Sequence, residues 1–207
     1  MDDLRKLYPH YKIFHYIVID ENHPFKGQYE DTDETFFVKS SFKRNGNLCG
    51  TTAFEGVTGY MDRIAKMTNA DWVIKMDSDT VILSLDTLNS GYDFMGTSMC
   101  EEQKWCGGAC LIFTGEAIRK LNELINNKTR YEQFLNLARA EGYPFVDDAL
   151  MSAAAIEYFG FRCKVGFMYG FENTTIYWKD DWGVPDGVRA VVCKPQRLDE
   201  YKDEMEV

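Results

Sequence analysis

Residues 54 to 83 constrain this chain more than any other stretch. From residue 54 to 69, Val57, Tyr60, Met61, Ile64 and Met67 recur at intervals of three and four, the spacing of one face of an amphipathic helix. Within three residues the pattern changes to the run "WVIKM" at 72 to 76, which is strand-like and buried in character, and this ends in Asp77, Ser78 and Asp79. A helix that feeds directly into such a strand is part of an alternating α/β arrangement.

The rest of the chain repeats that alternation. "YKIFHYIVID" (11 to 20) is rich in β-branched and aromatic residues and reads as a strand ending in a loop, and "TFFVKS" (35 to 40), "YDFMG" (92 to 96) and "ACLIFT" (109 to 114) read as short strands. "GEAIRKLNELINN" is a helix with Ala117, Ile118, Leu121, Leu124 and Ile125 inward, and residues 130 to 141 suggest another. "DDALMSAAAIEYFG" opens on Asp147 and Asp148, both suited to helix capping, and closes with Gly160. "FRCKVGFMYGF", "TTIYW" and "VRAVVCK" are strand-like. The expectation is an α/β fold whose sheet is largely parallel at its start. With 207 residues, 45% of them hydrophobic, and neither an internal repeat nor a low-complexity linker, one domain over 1–207 suffices.

Charge narrows the partners. Thirty-three acidic residues against 23 Lys and Arg give a net charge of -10, which repels nucleic-acid backbones and anionic lipid surfaces. No window reaches the ~20 apolar residues of a membrane span, and the first residues lack a signal-peptide pattern, so the expectation is a soluble, cytoplasmic protein. Its six cysteines are then expected as free thiols; Cys100, Cys106 and Cys110 cluster without the close CxxC interval of a structural zinc site.

In an extended segment residues two apart point the same way, so Asp77 and Asp79 can present their carboxylates together. At the C-terminal end of a strand in an α/β sheet, they would face the crevice where such folds bind ligands. Two hard oxygen ligands favour Mg²⁺ or Mn²⁺, with positions left for water and phosphate oxygens. The same triplet also serves simply to turn a strand into a loop.

"IKMDSD" resembles the DxD signature of GT-A glycosyltransferases. "DFMG" and then "WCGGACLIFTGEAIRKL" resemble the segment of the Fringe and β-1,3-glycosyltransferase group in which a glycine pair precedes a strand and helix, and "YPFVDDALMSAAAIEYFG" resembles its acidic motif at a helix start. Compact GT-A domains encoded by large algal viruses are similar in size and DxD setting. The resemblance implies a single Rossmann-like GT-A domain with a mixed central sheet and flanking helices, residues 1–99 forming the nucleotide-sugar half and 100–207 the acceptor side. It implies a transferase moving sugar from a UDP-sugar donor to a glycan hydroxyl, with inversion as the expected outcome. Asp77 and Asp79 would hold Mn²⁺ or Mg²⁺ against the donor diphosphate, where the ion stabilises the charge of the leaving group. Asp148, or else Asp147, would deprotonate the acceptor hydroxyl. Gly107 and Gly108 would let the backbone approach the sugar closely, although an ordinary turn explains them equally. Asp20, Ser78, Arg63, Lys66 and Lys75 are candidates for contacts to the nucleotide; a loop-capping carboxylate and a solvated helix face are the structural alternatives for Asp20, Arg63 and Lys66. Trp105 could line the pocket or anchor its loop. The group commonly supplies a late histidine to the metal, whereas His10, His15 and His23 are the only histidines here, leaving Glu172, Asp180 or water for that position.

Two other classes use the same residues. "MDSDTV" also fits the DxDx[TV] signature of haloacid-dehalogenase-type phosphatases, with Asp77 as nucleophile and Asp79 as acid/base. Some seventy residues with two strands precede it, however, and the usual phosphate-binding lysine motif is not evident. The third class is a non-catalytic nucleotide-sugar-binding module, for which the second acidic pair, Asp147 and Asp148, would be superfluous.

Overall fold

The computed structural model describes residues 2–19, 35–39, 50–77, 80–82, 85, 88, 91–98, 103–108, 110–167, 176–178 and 190–192. It is a mixed α/β structure. Its strands are β1 (His15–Ile19), β2 (Thr35–Lys39), β3 (Trp72–Met76), β4 (Thr80–Ile82), β5 (Phe94–Ser98), β6 (Cys110–Thr114), β7 (Cys163–Phe167), β8 (Ile176–Trp178) and β9 (Ala190–Val192). Its α-helices are α1 (Asp2–Leu7), α2 (Thr51–Thr68), α3 (Gly115–Asn126), α4 (Lys128–Ala140) and α5 (Asp147–Ala153), the last running on into a π-helical turn, Ala154–Tyr158.

Strands β1 and β2 pair in parallel as a two-stranded sheet of their own. The sheet that matters for the site has the order β3-β6-β5-β7. β6 is antiparallel to both β3 and β5, and β5 is parallel to β7, so β3, β5 and β7 run one way and β6 the other. Met76 at the end of β3 is therefore opposite Cys110 at the start of β6. That register brings the C-terminal exit of β3 and the N-terminal entry of β6 to one edge: Asp77 beside the loop carrying Gly107 and Gly108. The sheet also interleaves the two halves expected on either side of residue 99, since β3 and β5 come from one and β6 and β7 from the other.

Both faces of this sheet are covered, which explains why its strands read as apolar runs rather than as alternations. Val73, Phe94, Leu111 and Phe113 join the larger core, with Phe54, Met61 and Ala65 of α2, Ile118 and Leu121 of α3, Phe134 of α4 and Leu150 and Met151 of α5. Met95, Cys110 and Ile112 join the smaller one with Leu4, Leu85 and Leu88, and Trp72, Ile74 and Met76 pack against it. The period of two along β3 thus assigns Val73, and by continuation Lys75 and Asp77, to the face carrying α2, α3 and α5.

Two local expectations are corrected. Met67 does not face inward: it is 65% exposed, and the buried stripe of α2 is Ala53, Phe54, Thr58, Met61, Asp62 and Ala65. Two polar positions contribute to this stripe, Asp62 being held by Lys66 Nζ at 2.7 Å and by Asn122 Nδ2 of α3 at 2.8 Å, so hydrophobic spacing alone misjudged the face. Neither Asp147 nor Asp148 caps α5. Val146 has the extended N-cap backbone, with no side-chain cap bond, because a tight turn in which its N–H donates to Pro144 O starts the helix one residue earlier.

Most other strands agree with the sequence reading, shortened at their ends, whereas α2 and α4 begin earlier than read, at Thr51 and Lys128, and α1 and β4 are additions to it. The strand expected over 11 to 20 is His15–Ile19, and α3 buries Ala117, Ile118, Leu121 and Leu124 with Ile125 partly buried beside them. The tail beyond 192 lies outside the described residues. Among the described residues, no helix is long and apolar enough to cross a membrane.

Candidate functional site

Three segments meet at the sheet edge defined by the ends of β3 and β6. Lys75 and Asp77, two residues apart on one face of an extended segment, form an ion pair with Lys75 Nζ 2.6 Å from Asp77 Oδ1. Lys75 Nζ also donates to the carbonyl oxygen of Gly108. Asp148, in the first turn of α5, approaches the same glycine: its Oδ2 lies 3.3 Å, and Lys75 Nζ 3.2 Å, from the position that a Cβ on Gly108 would take. Gly108 therefore lies between the two side chains, its carbonyl accepting from Lys75 and its Cα facing Asp148. The lack of a Cβ permits this crowding. What approaches Gly108 here is the chain's own machinery, beyond any role the glycine has toward a ligand.

Burial differs across the cluster. The Lys75 side chain is 16% exposed, while that of Asp77 is 36% exposed at the strand's mouth. Asp148 is half-buried, and its neighbour Asp147 is buried. Burial, followed by the negative charge of Asp147, pushes the Asp148 carboxyl above the ordinary aspartate range. The N–H groups of Ala149 and Gly108 and the Lys75 ammonium oppose that rise without cancelling it. Asp148 Oδ1 accepts from Ala149 N at 2.8 Å, so one carboxylate oxygen is fixed locally and the other is directed toward Gly108.

The loop before β6 is fastened on its far side. Ser152, one helical turn beyond Asp148, accepts from the Cys106 N–H at 3.0 Å and donates to the Asp148 carbonyl at 2.8 Å. Cys106 is fully buried against Gly96, where a Cβ would come within 2.7 Å of its Cβ and Sγ. Trp105 is half-buried against the larger core, 6.4 Å from the Tyr143 ring, which makes it an anchor of this loop. The Tyr143 hydroxyl donates to Glu157 at 3.0 Å on the π-helical turn. Ser152 was missed in the sequence reading. Its signal was available: one hydroxyl inside the otherwise apolar stretch "ALMSAAA", four residues after Asp148.

Of the residues singled out from sequence, Lys75, Asp77, Gly108 and Asp148 converge, and Gly107 adjoins them. Arg63 and Lys66 lie in the last two turns of α2, which leads through residues 69–71 to the start of β3, the end away from Asp77. Arg63 is exposed, and Lys66, with its side chain 57% exposed, pairs with Asp62, as the solvated-face alternative expects. Asp20, Ser78, Asp79, Glu172 and Asp180 lie outside the described residues. Cys106, Cys110 and Cys163 are free thiols. Burial pushes the Cys110 thiol up to about 12 and that of Cys163 to about 12, so both stay protonated near neutrality. Among the described residues no group of three or more His, Cys, Asp or Glu gathers in a way that could hold a metal.

The chain matches no family profile and no curated protein.

Proposed function

We propose that this chain is a metal-dependent GT-A glycosyltransferase that moves a sugar from a UDP-sugar donor to a glycan hydroxyl with inversion. The observation that carries the reading is the convergence of Asp77 and Gly108 on the Lys75 ammonium, with Asp148 set against the same glycine. These residues belong to the three separate segments that resemble the family, and nothing in their sequence separation requires them to meet. The mixed sheet with flanking helices is the architecture such a domain needs.

The donor chemistry fits a hard divalent ion: Asp77 offers a carboxylate, 36% exposed, at the C-terminal end of a strand. Asp77, with Asp79, would hold Mn²⁺ or Mg²⁺, and the bound ion would supply the positive charge that a departing diphosphate requires. Asp148 would take the proton of the acceptor hydroxyl at Oδ2. Its raised pKa makes it a stronger base than a solvated aspartate, while Lys75 and the Gly108 N–H favour its ionised form. Asp147 is buried, which leaves Asp148 as the base of the pair. A single base acting on the face opposite the leaving group gives one displacement, and hence inversion.

Calorimetry with UDP in the presence of Mn²⁺, followed by a donor-hydrolysis assay, tests this reading. UDP binding accompanied by slow donor hydrolysis supports the transferase. Binding without turnover indicates a nucleotide-sugar-binding module, and phosphate release from simple monoesters indicates a phosphatase.

A further inference from the structure

Lys75 is the one member of the cluster whose charge opposes the rest. An ammonium has three donors on a flexible stem, and here one is spent on Asp77 Oδ1 and another on the Gly108 carbonyl. The first partner is a charged oxygen that a divalent cation would also need; the second is a neutral carbonyl that it would not. Lys75 and a divalent ion cannot share Asp77 without bringing two positive centres into near contact, a repulsion that a partly desolvated site screens poorly. The stem of Lys75 is mostly covered, so its ammonium stays at the edge even when it releases Asp77.

We infer that Lys75 is the exchangeable counter-ion of Asp77. It holds Asp77 Oδ1 in the absence of a divalent ion and releases that oxygen when the ion binds. It then presents its ammonium, still anchored on Gly108, to the diphosphate of the donor. This rests on the functional reading above and adds to it a role for Lys75, built from this chain's own residues. Before exchange the positive charge of Lys75 is neutralised by Asp77; afterwards it is available to phosphate oxygens, for which a lysine is a suitable point charge.

The test is calorimetry on the whole chain, wild type against Lys75→Met, with unfolding temperatures recorded for both. Mn²⁺ alone should bind the variant about tenfold more tightly, because its competitor for Asp77 is gone. UDP at saturating Mn²⁺ should bind the variant about tenfold more weakly, because the released ammonium is missing. These opposite signs separate the exchange from a loss of structure, which would weaken both. Unchanged or weaker Mn²⁺ binding by the variant overturns the inference, as does wild-type protein that binds no Mn²⁺. If Lys75→Met does not fold, Lys75→Gln carries the same two measurements. Wild-type protein that takes up Mn²⁺ but not UDP overturns the proposed function instead, and the Mn²⁺ comparison still decides whether Lys75 competes for Asp77.

Discussion

Lys75 Nζ and Asp148 Oδ2, from a strand and a helix 73 positions apart in sequence numbering, lie 3.2 and 3.3 Å from the same point, the absent Cβ of Gly108. A methyl group there would press on both tips more closely than ordinary carbon contacts allow, and both can yield because they end flexible side chains. Gly108→Ala should therefore cost no more than about 1 kcal/mol of stability. It should nevertheless lower donor hydrolysis by about tenfold or more, because small displacements of reacting groups are costly. Thermal unfolding measured alongside hydrolysis checks this; full activity would show that the crowding at Gly108 has no functional consequence.

Asp148 should cost the fold stability at neutral pH. Its folded pKa is raised, so its favourable contribution is complete below the unfolded value of 3.8 and is lost as pH rises through the folded value. Asp148→Asn keeps an oxygen for the Ala149 N–H and removes the charge. The variant should melt a few degrees above wild type at pH 7, with the difference shrinking as the pH falls through the folded value toward 3.8 and absent below it. It should still bind UDP with Mn²⁺ but transfer no sugar. Normal transfer would end the assignment of Asp148 as base.

Ser152→Ala removes the acceptor of the buried Cys106 N–H. An unsatisfied buried donor costs about 1–3 kcal/mol, so the urea midpoint should fall accordingly. Because Ser152 also donates to the Asp148 carbonyl, transfer should fall further than the unfolded fraction explains. A midpoint equal to wild type would mean that the loop is fastened elsewhere.

Glycines in two helices should respond in opposite directions. A Cβ on Gly115 would lie 2.0 Å from the carbonyl oxygen of Ala70, a backbone atom that cannot swing aside, so Gly115→Ala should destabilise by roughly 1–3 kcal/mol or more. Gly59, inside α2, has nothing within 4 Å of its would-be Cβ, and Gly59→Ala should stabilise by about 0.5–1 kcal/mol. Urea denaturation of the two variants measures both; a stable Gly115→Ala would mean that α3 and the turn before β3 can separate freely.

The alternation of α2 with β3, and of β6 with α3, was legible in the sequence because hydrophobic period is a local property: side chains three, four or two residues apart share a face in any helix or strand. The same locality explains why Asp77 could be assigned to the mouth of a strand. It also explains the errors. Met67 fits the apolar spacing of α2, yet the tertiary structure buries Asp62 in preference, because Asn122 of a different helix offers it a partner. Asp147 and Asp148 look like caps, yet the turn at Pro144 and Val146 sets the helix start and leaves both carboxylates beyond the cap. What the sequence by itself determined was therefore most of the elements, α1 and β4 apart, and the candidate acids. Only the pairing of β3 with an antiparallel β6 decided that Gly108 would lie beside Lys75 and Asp77, and only the packing of α5 brought Asp148 to the same glycine. Those contacts join segments 33 and 40 positions apart, and distances of that kind are fixed by strand register and core packing rather than by the spacing of residues along the chain.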